Sequence, residues 1–179
     1  ELIWIIGEGD TIYKPSNGFI KTLSKPIAKK SIIVGSMIIG DRKKRNKKTN
    51  AKINLWLNLD KMRLNHPSMI ISKYVYQEIG FYSEDKKIIS DYEWCMKAFE
   101  KNINIIKLKN FLTYHELGGI STIYGKSRLN LHIACINVIY KSLGFSLPLF
   151  FAIFTRFSRF ILSRFFYYIK KINKDRTQI

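Results

Sequence analysis

Apolar residues run without a polar break over Leu2–Ile6 and stop at Gly7-Glu8-Gly9-Asp10. Such a run reads as a strand buried on both faces that ends in a tight turn. Lys14–Ala28 is expected to form a short helix, with Pro15 and the capping residue Ser16 near its start. Ile32–Ile39 is apolar and β-branched and predicts a second strand. The basic run from Asp41 to Lys48 has no apolar periodicity and reads as a solvated loop. Ile53–Leu59 is weakly helical, and Ser68–Ile71 is a short strand after His66-Pro67. Ser72 then caps a helix that carries Tyr74, Val75 and Ile79 on one side and ends at Gly80. Phe81–Ile89 reads as a polar loop. Ser90-Asp91-Tyr92-Glu93 opens the clearest helix in a capping-box pattern, Ser at the cap and Glu three residues on. Asn104–Leu108 and Phe111–His115 read as short strands around a Lys109-Asn110 turn, and Leu117–Ser121 as a glycine loop. Ser127–Leu143 predicts an amphipathic helix. Strands alternating with helices argue for an α/β layered fold.

The tail has a different pattern. Ser142–Thr155 is uncharged for 14 residues, short of the roughly 20 that a bilayer span needs. Beyond it, Arg156, Arg159, Ser163 and Lys170 share one helical stripe, and Phe154, Phe157, Ile161, Phe165 and Tyr168 cover the other side. A basic face against an aromatic-aliphatic face fits a helix lying in a membrane interface; the rival reading is a tail helix packed on the domain or on a partner subunit.

Composition narrows the classes. Hydrophobic residues make up 46% of the 179-residue chain, too many for a disordered segment. Cys95 and Cys135 lack CxxC spacing, so neither a disulfide framework nor a zinc ribbon is expected. The net charge is +18, and six basic residues fall within Arg42–Lys48. From Leu117 to Ile179 there are ten basic residues and one acid, Asp175. Anionic partners are therefore expected: nucleic acid, anionic lipid or sugar-linked phosphate. The chain has no initiator Met and opens inside a strand, as expected of part of a longer protein.

Four features carry candidate chemistry. They are the strand ending in Gly7-Glu8-Gly9-Asp10, then His66-Pro67-Ser68, then Ser90-Asp91-Tyr92-Glu93-Trp94, and last Tyr114-His115-Glu116-Leu117-Gly118-Gly119-Ile120-Ser121. In this order and at these distances they resemble the family-2 glycosyltransferases of GT-A fold, and most of all the group that makes bacterial surface polysaccharides. The resemblance runs from about Glu1 to about Ser127 and lacks the family's nucleotide-binding first half. It implies a partial GT-A domain over 1–127 with a mostly parallel sheet, followed by a helical, basic, membrane-interface tail over 128–179.

The resemblance also implies roles. Asp10, with Glu8, matches the family's metal-binding turn, which holds a divalent cation (Mn or Mg) against the donor's diphosphate; Gly9 stands where the family has a middle acid. An Asp bonding its own turn is the competing reading of Asp10. Asp91 matches the general base that takes the acceptor hydroxyl's proton in inverting transfer, although an acid in a first helical turn is also favoured by the helix dipole. His66 and His115 are candidate substrate-binding residues, since an imidazole near the diphosphate could donate a hydrogen bond or ligate metal, against a structural role at a strand edge. Gly118, Gly119 and Ser121 match a loop bordering the active site. Trp94 could stack on a sugar ring or pack in the core, and Glu93 is set with it among the substrate-binding residues, with the capping box as its competing role.

The expected activity is transfer of a sugar from a nucleoside-diphosphate donor to a glycan or lipid-linked acceptor. It is placed at the cytoplasmic face of the membrane, with the tail on the anionic surface. A basic nucleic-acid-binding module is the alternative that charge alone supports, but the basic run has no interleaved aromatics and no recognition motif appears. A non-catalytic membrane-associated scaffold is the other.

Overall fold

The structure is a computed structural model that describes residues 1–7, 9–13, 23, 29–41, 45–86, 89–116 and 128–176. Among these residues the fold is α/β, and one six-stranded sheet organises it. The strands are β1 (Leu2–Trp4), β2 (Thr11–Ile12), β3 (Ser31–Asp41), β4 (Arg45–Thr49), β5 (Met69–Ser72) and β6 (Asn104–Glu116). Their order is β1-β5-β3-β6-β2, with β4 also paired to β3. The helices are α1 (Leu55–Asp60), α2 (Lys73–Ile79), α3 (Ser90–Glu100), α4 (Arg128–Leu143) and α5 (Leu147–Arg176).

The sheet is mixed, which corrects the expectation of a mostly parallel one. Only the central pair, β3 and β6, is parallel; β1–β5, β2–β6, β3–β4 and β3–β5 are antiparallel. β3 is the spine, as its β-branched run requires. Ile32 and Val34 enter the core cluster that holds Ile71, Val75, Trp94 and Ala98. Ile33, one residue out of phase, packs with Ile70, Leu108 and Leu112. Alternate side chains of a strand point to opposite faces, so an uninterrupted apolar run fills both.

Four local expectations change. Leu2–Ile6 is not a strand buried on both faces: β1 is a three-residue strand at the end of the strand order, with Leu2 and Ile5 exposed. The basic run is not wholly a loop, because Arg45–Thr49 pairs with Met37–Asp41 as an antiparallel ladder. Lys47 and Lys48 are exposed there, as cations on a sheet margin commonly are. Asn104–His115 is one strand, and the pairing of β3 with β6 slips between Val34 and Ser36 and again between Ser36 and Met37. The polar Lys109-Asn110 pair sits in that slip as a bulge and not as a hairpin turn. The capping box does not form either. α3 has Ile89 at its cap with no side-chain bond, and Glu93 pairs with Lys86 at 2.6 Å.

Elsewhere the local signals hold. Ser72 caps α2 by accepting from the Tyr74 amide, and Gly80 ends it at φ 80°. The expected helix over 14–28 and the glycine loop over 117–121 lie outside the described residues.

The tail joins the body. Leu59 of α1, Tyr92 and Met96 of α3, Val138 and Ile139 of α4 and Leu149 and Ala152 of α5 form one buried cluster. The basic stripe of the expected interface helix turns inward at its start. Arg156 is 4% exposed and its Nε donates to the Leu59 carbonyl at 2.8 Å, while Arg159 ion-pairs with Asp60. Much of what faces outward is apolar, Phe150, Phe154, Ile161 and Phe165 being more than half exposed, with Arg164 exposed among them. No helix among the described residues is long and apolar enough to cross a membrane.

Candidate active-site cleft

Three turns bring the candidate residues together. The first follows β1, where the Asp10 amide donates to the Gly7 carbonyl at 3.1 Å and Gly9 adopts φ 84°, a conformation that favours glycine. Gly7 also makes room, since a Cβ there would lie 3.2 Å from Asp10 Oδ2. β2 then pairs with β6, Thr11 opposite Tyr114. That register sets Asp10 beside His115, and Asp10 Oδ1 lies 2.6 Å from His115 Nδ1. The Asp10 side chain is 5% exposed and that of His115 32%.

The second turn, His66–Ser68, follows Asn65 in the left-handed conformation at φ 52°. Asparagine tolerates that backbone better than most residues. Asn65 Nδ2 donates to the carbonyls of Gly35 and Thr49 at 3.2 and 3.0 Å, which anchors the turn to the sheet. His66 Nε2 then meets the Tyr82 hydroxyl at 2.9 Å. Burial lowers the His66 pKa, and the carboxylates of Asp91 and Asp10 oppose the shift; burial raises that of Tyr82. At neutral pH the imidazole–phenol pair is therefore uncharged.

The third turn opens α3. Asp91 lies in its first turn, and Oδ1 accepts from the Tyr92 amide at 2.7 Å. The carboxylate thus satisfies one local donor, a duty the sequence did not disclose.

Asp10, His66, Asp91 and His115 all line a single cleft of about 340 Å³, together with Gly7, Asn65 and Met62. Residues 105 positions apart in the chain meet there. Among the described residues no group of three His, Cys, Asp or Glu side chains converges as a metal cage. Two expected site residues lie elsewhere. Trp94 is 1% exposed, donates Nε1–H to the Gly80 carbonyl at 2.8 Å and packs on Tyr76 and Tyr82, so its ring is core and not a sugar platform. Glu93 is held by Lys86. Glu8, Gly118, Gly119 and Ser121 lie outside the described residues.

Sequence reasoning missed Asn65, whose left-handed backbone sets the His66 turn, and Tyr82, which partners His66 from a segment read as a loop. It also missed Met62 and Asp91 as the residues shared with a second cleft of about 440 Å³, walled by α1, α3, α4 and α5. No protein family, curated protein or solved structure matches this chain at a significant level.

Proposed function

We propose that this chain is the acceptor-side part of an inverting, metal-dependent glycosyltransferase of GT-A type. It transfers a sugar from a nucleoside diphosphate to a glycan or lipid-linked acceptor in cell-surface polysaccharide synthesis. One observation carries the reading: four of the residues singled out on sequence resemblance, Asp10, His66, Asp91 and His115, come from four separate segments and line one cleft.

In this reading Asp91 accepts the proton of the acceptor hydroxyl as that oxygen attacks the anomeric carbon. Neutral His66 offers hydrogen bonding without adding charge beside the two carboxylates. His115 fixes the rotamer of Asp10, so that carboxylate is held in place before ligand arrives.

A divalent cation (Mn or Mg) would be held by Asp10, with Glu8 as the second acid in that segment. Asp10 is a fitting donor because such cations take oxygen ligands and fill remaining positions with water and substrate phosphate. The chemistry it supplies is neutralisation of the departing diphosphate. The outward apolar side of α5 supports attachment to a membrane surface, which this reading places at the cytoplasmic face.

The test is Asp91→Asn in the complete gene product, assayed for sugar transfer. A drop in kcat of about a hundredfold or more, with the donor KM little changed, is expected for loss of a general base. Transfer retained within about threefold would remove Asp91 from the chemistry and the reading with it.

A further inference from the structure

The second cleft adjoins the first across Asp91 and Met62 and is lined by three cations, Lys61, Arg156 and Arg159. Two carboxylates face them. Asp60 is already engaged by Arg63 and Arg159, and Asp91 is the group shared with the neighbouring cleft.

Arg156 is the unusual member. Its side chain is almost wholly buried, Nε is used by the Leu59 carbonyl, and the guanidinium lies 5.0 Å over the Tyr92 ring. Its Nη2 meets no acceptor among the described residues. A buried cationic donor without an acceptor is costly, and an anion in the cleft would supply one. Lys61 points the same way. Partial desolvation and then the like charges of Arg159, Arg63 and Lys47 lower its pKa, a cost that an anion in the cleft would reverse.

Past Asp60, Arg159 and Ser163, which line both, the cleft continues into an apolar groove of about 540 Å³ between α1 and α5, walled by Trp56, Phe151 and Leu162.

We infer that the cleft of α1, α3, α4 and α5 is a phosphate-binding subsite, in which Arg156, Arg159 and Lys61 hold a phosphate group of the acceptor beside Asp91. The inference rests on the transferase reading for the word acceptor. The phosphate site itself stands on the three cations lining the cleft and on Arg156 Nη2, which has no hydrogen-bond partner among the described residues. The phosphate belongs either to a soluble phosphorylated acceptor or to a lipid-linked one whose chain lies in the adjoining groove.

Equilibrium binding to the full chain tests this, with inorganic phosphate and octyl phosphate as probes. EDTA keeps any cation at Asp10 out of play, and no sugar nucleotide is present. Saturable binding is expected. Lys61→Gln and Arg156→Gln should each weaken it roughly tenfold or more, as loss of a charge-assisted contact does. Lys141→Gln, outside the cleft, should leave it within about twofold. Octyl phosphate binding roughly tenfold tighter than phosphate assigns a lipid-linked source, and equal affinities assign a soluble one. Lys61 is an exposed residue, so its variant decides the matter even where Arg156→Gln fails to fold. No saturable binding, or equal losses in Lys61→Gln and Lys141→Gln, overturns the subsite. Phosphate binding with normal transfer by Asp91→Asn would instead sink the transferase reading alone.

Discussion

His66 shows how one residue couples the cleft to stability. Burial holds its pKa below the ordinary 6.5. Just below pH 6.5 the unfolded chain therefore binds a proton that the folded chain refuses, and stability rises with pH across that window. The stabilisation is present above 6.5 and is lost as the pH falls towards the folded value. The melting temperature is expected to drop between about pH 7 and about pH 5.5, and His66→Gln should make that drop shallower. An equal drop in the variant would mean that other groups carry it. Gly35 is a second telling position. A Cβ there would lie 2.3 Å from Leu112 Cγ and 3.1 Å from the Asn110 carbonyl, because the strand slip brings β6 against bare backbone. Gly35→Ala should cost about 1–3 kcal/mol by overpacking, read as a shift in denaturant midpoint; a cost near zero would show that the bulge yields.

Among the elements, α5 changes meaning most between sequence and structure. Its periodicity marks an amphipathic helix, and periodicity says which residues share a face. It does not say which face the protein covers. The pattern alone fits either a helix in a membrane interface or one packed on the domain, and Asp60 and the Leu59 carbonyl at the end of α1 draw Arg156 and Arg159 inward. The aromatics are left outside, where they form a surface suited to a lipid interface. Replacing Phe154, Ile161 and Phe165 together with Ser should leave the melting temperature within about two degrees, since all three are exposed. Partition onto anionic vesicles should fall about tenfold or more, because each side chain loses about 1.5–3 kcal/mol of apolar burial. Unchanged partition would mean that the helix surface meets no bilayer. β4 teaches a similar lesson. Arg45–Thr49 has no apolar pattern of its own, and its strand state comes from backbone bonds to β3 alone.

At the scale of the whole molecule, the charge of +18 is spread over a body with few acids. Self-repulsion then opposes compaction and salt screens it. Raising ionic strength from about 0.02 M to about 0.2 M should raise the melting temperature, as the Debye length shortens from about 20 Å to about 7 Å. A fall with salt would show that specific ion pairs such as Lys30–Glu78 and Lys86–Glu93 outweigh diffuse repulsion.

The sequence by itself determined the elements that local chemistry specifies. β3 follows from its β-branched run, α2 from Ser72 and Gly80, and α4 from its apolar period. Asp10, His66, Asp91 and His115, which line one cleft, were singled out in the sequence by their types and order. Only tertiary structure decided the rest, because each undecided feature depends on a partner distant in the chain. The direction of β6 and its bulge depend on β3. The loss of the capping box depends on Lys86, and the burial of Trp94 on Tyr76 and Gly80. The inward turn of Arg156 depends on Leu59, 97 positions away. Hydrophobic spacing carries no information about such pairs, which form only when the sheet and helices have packed.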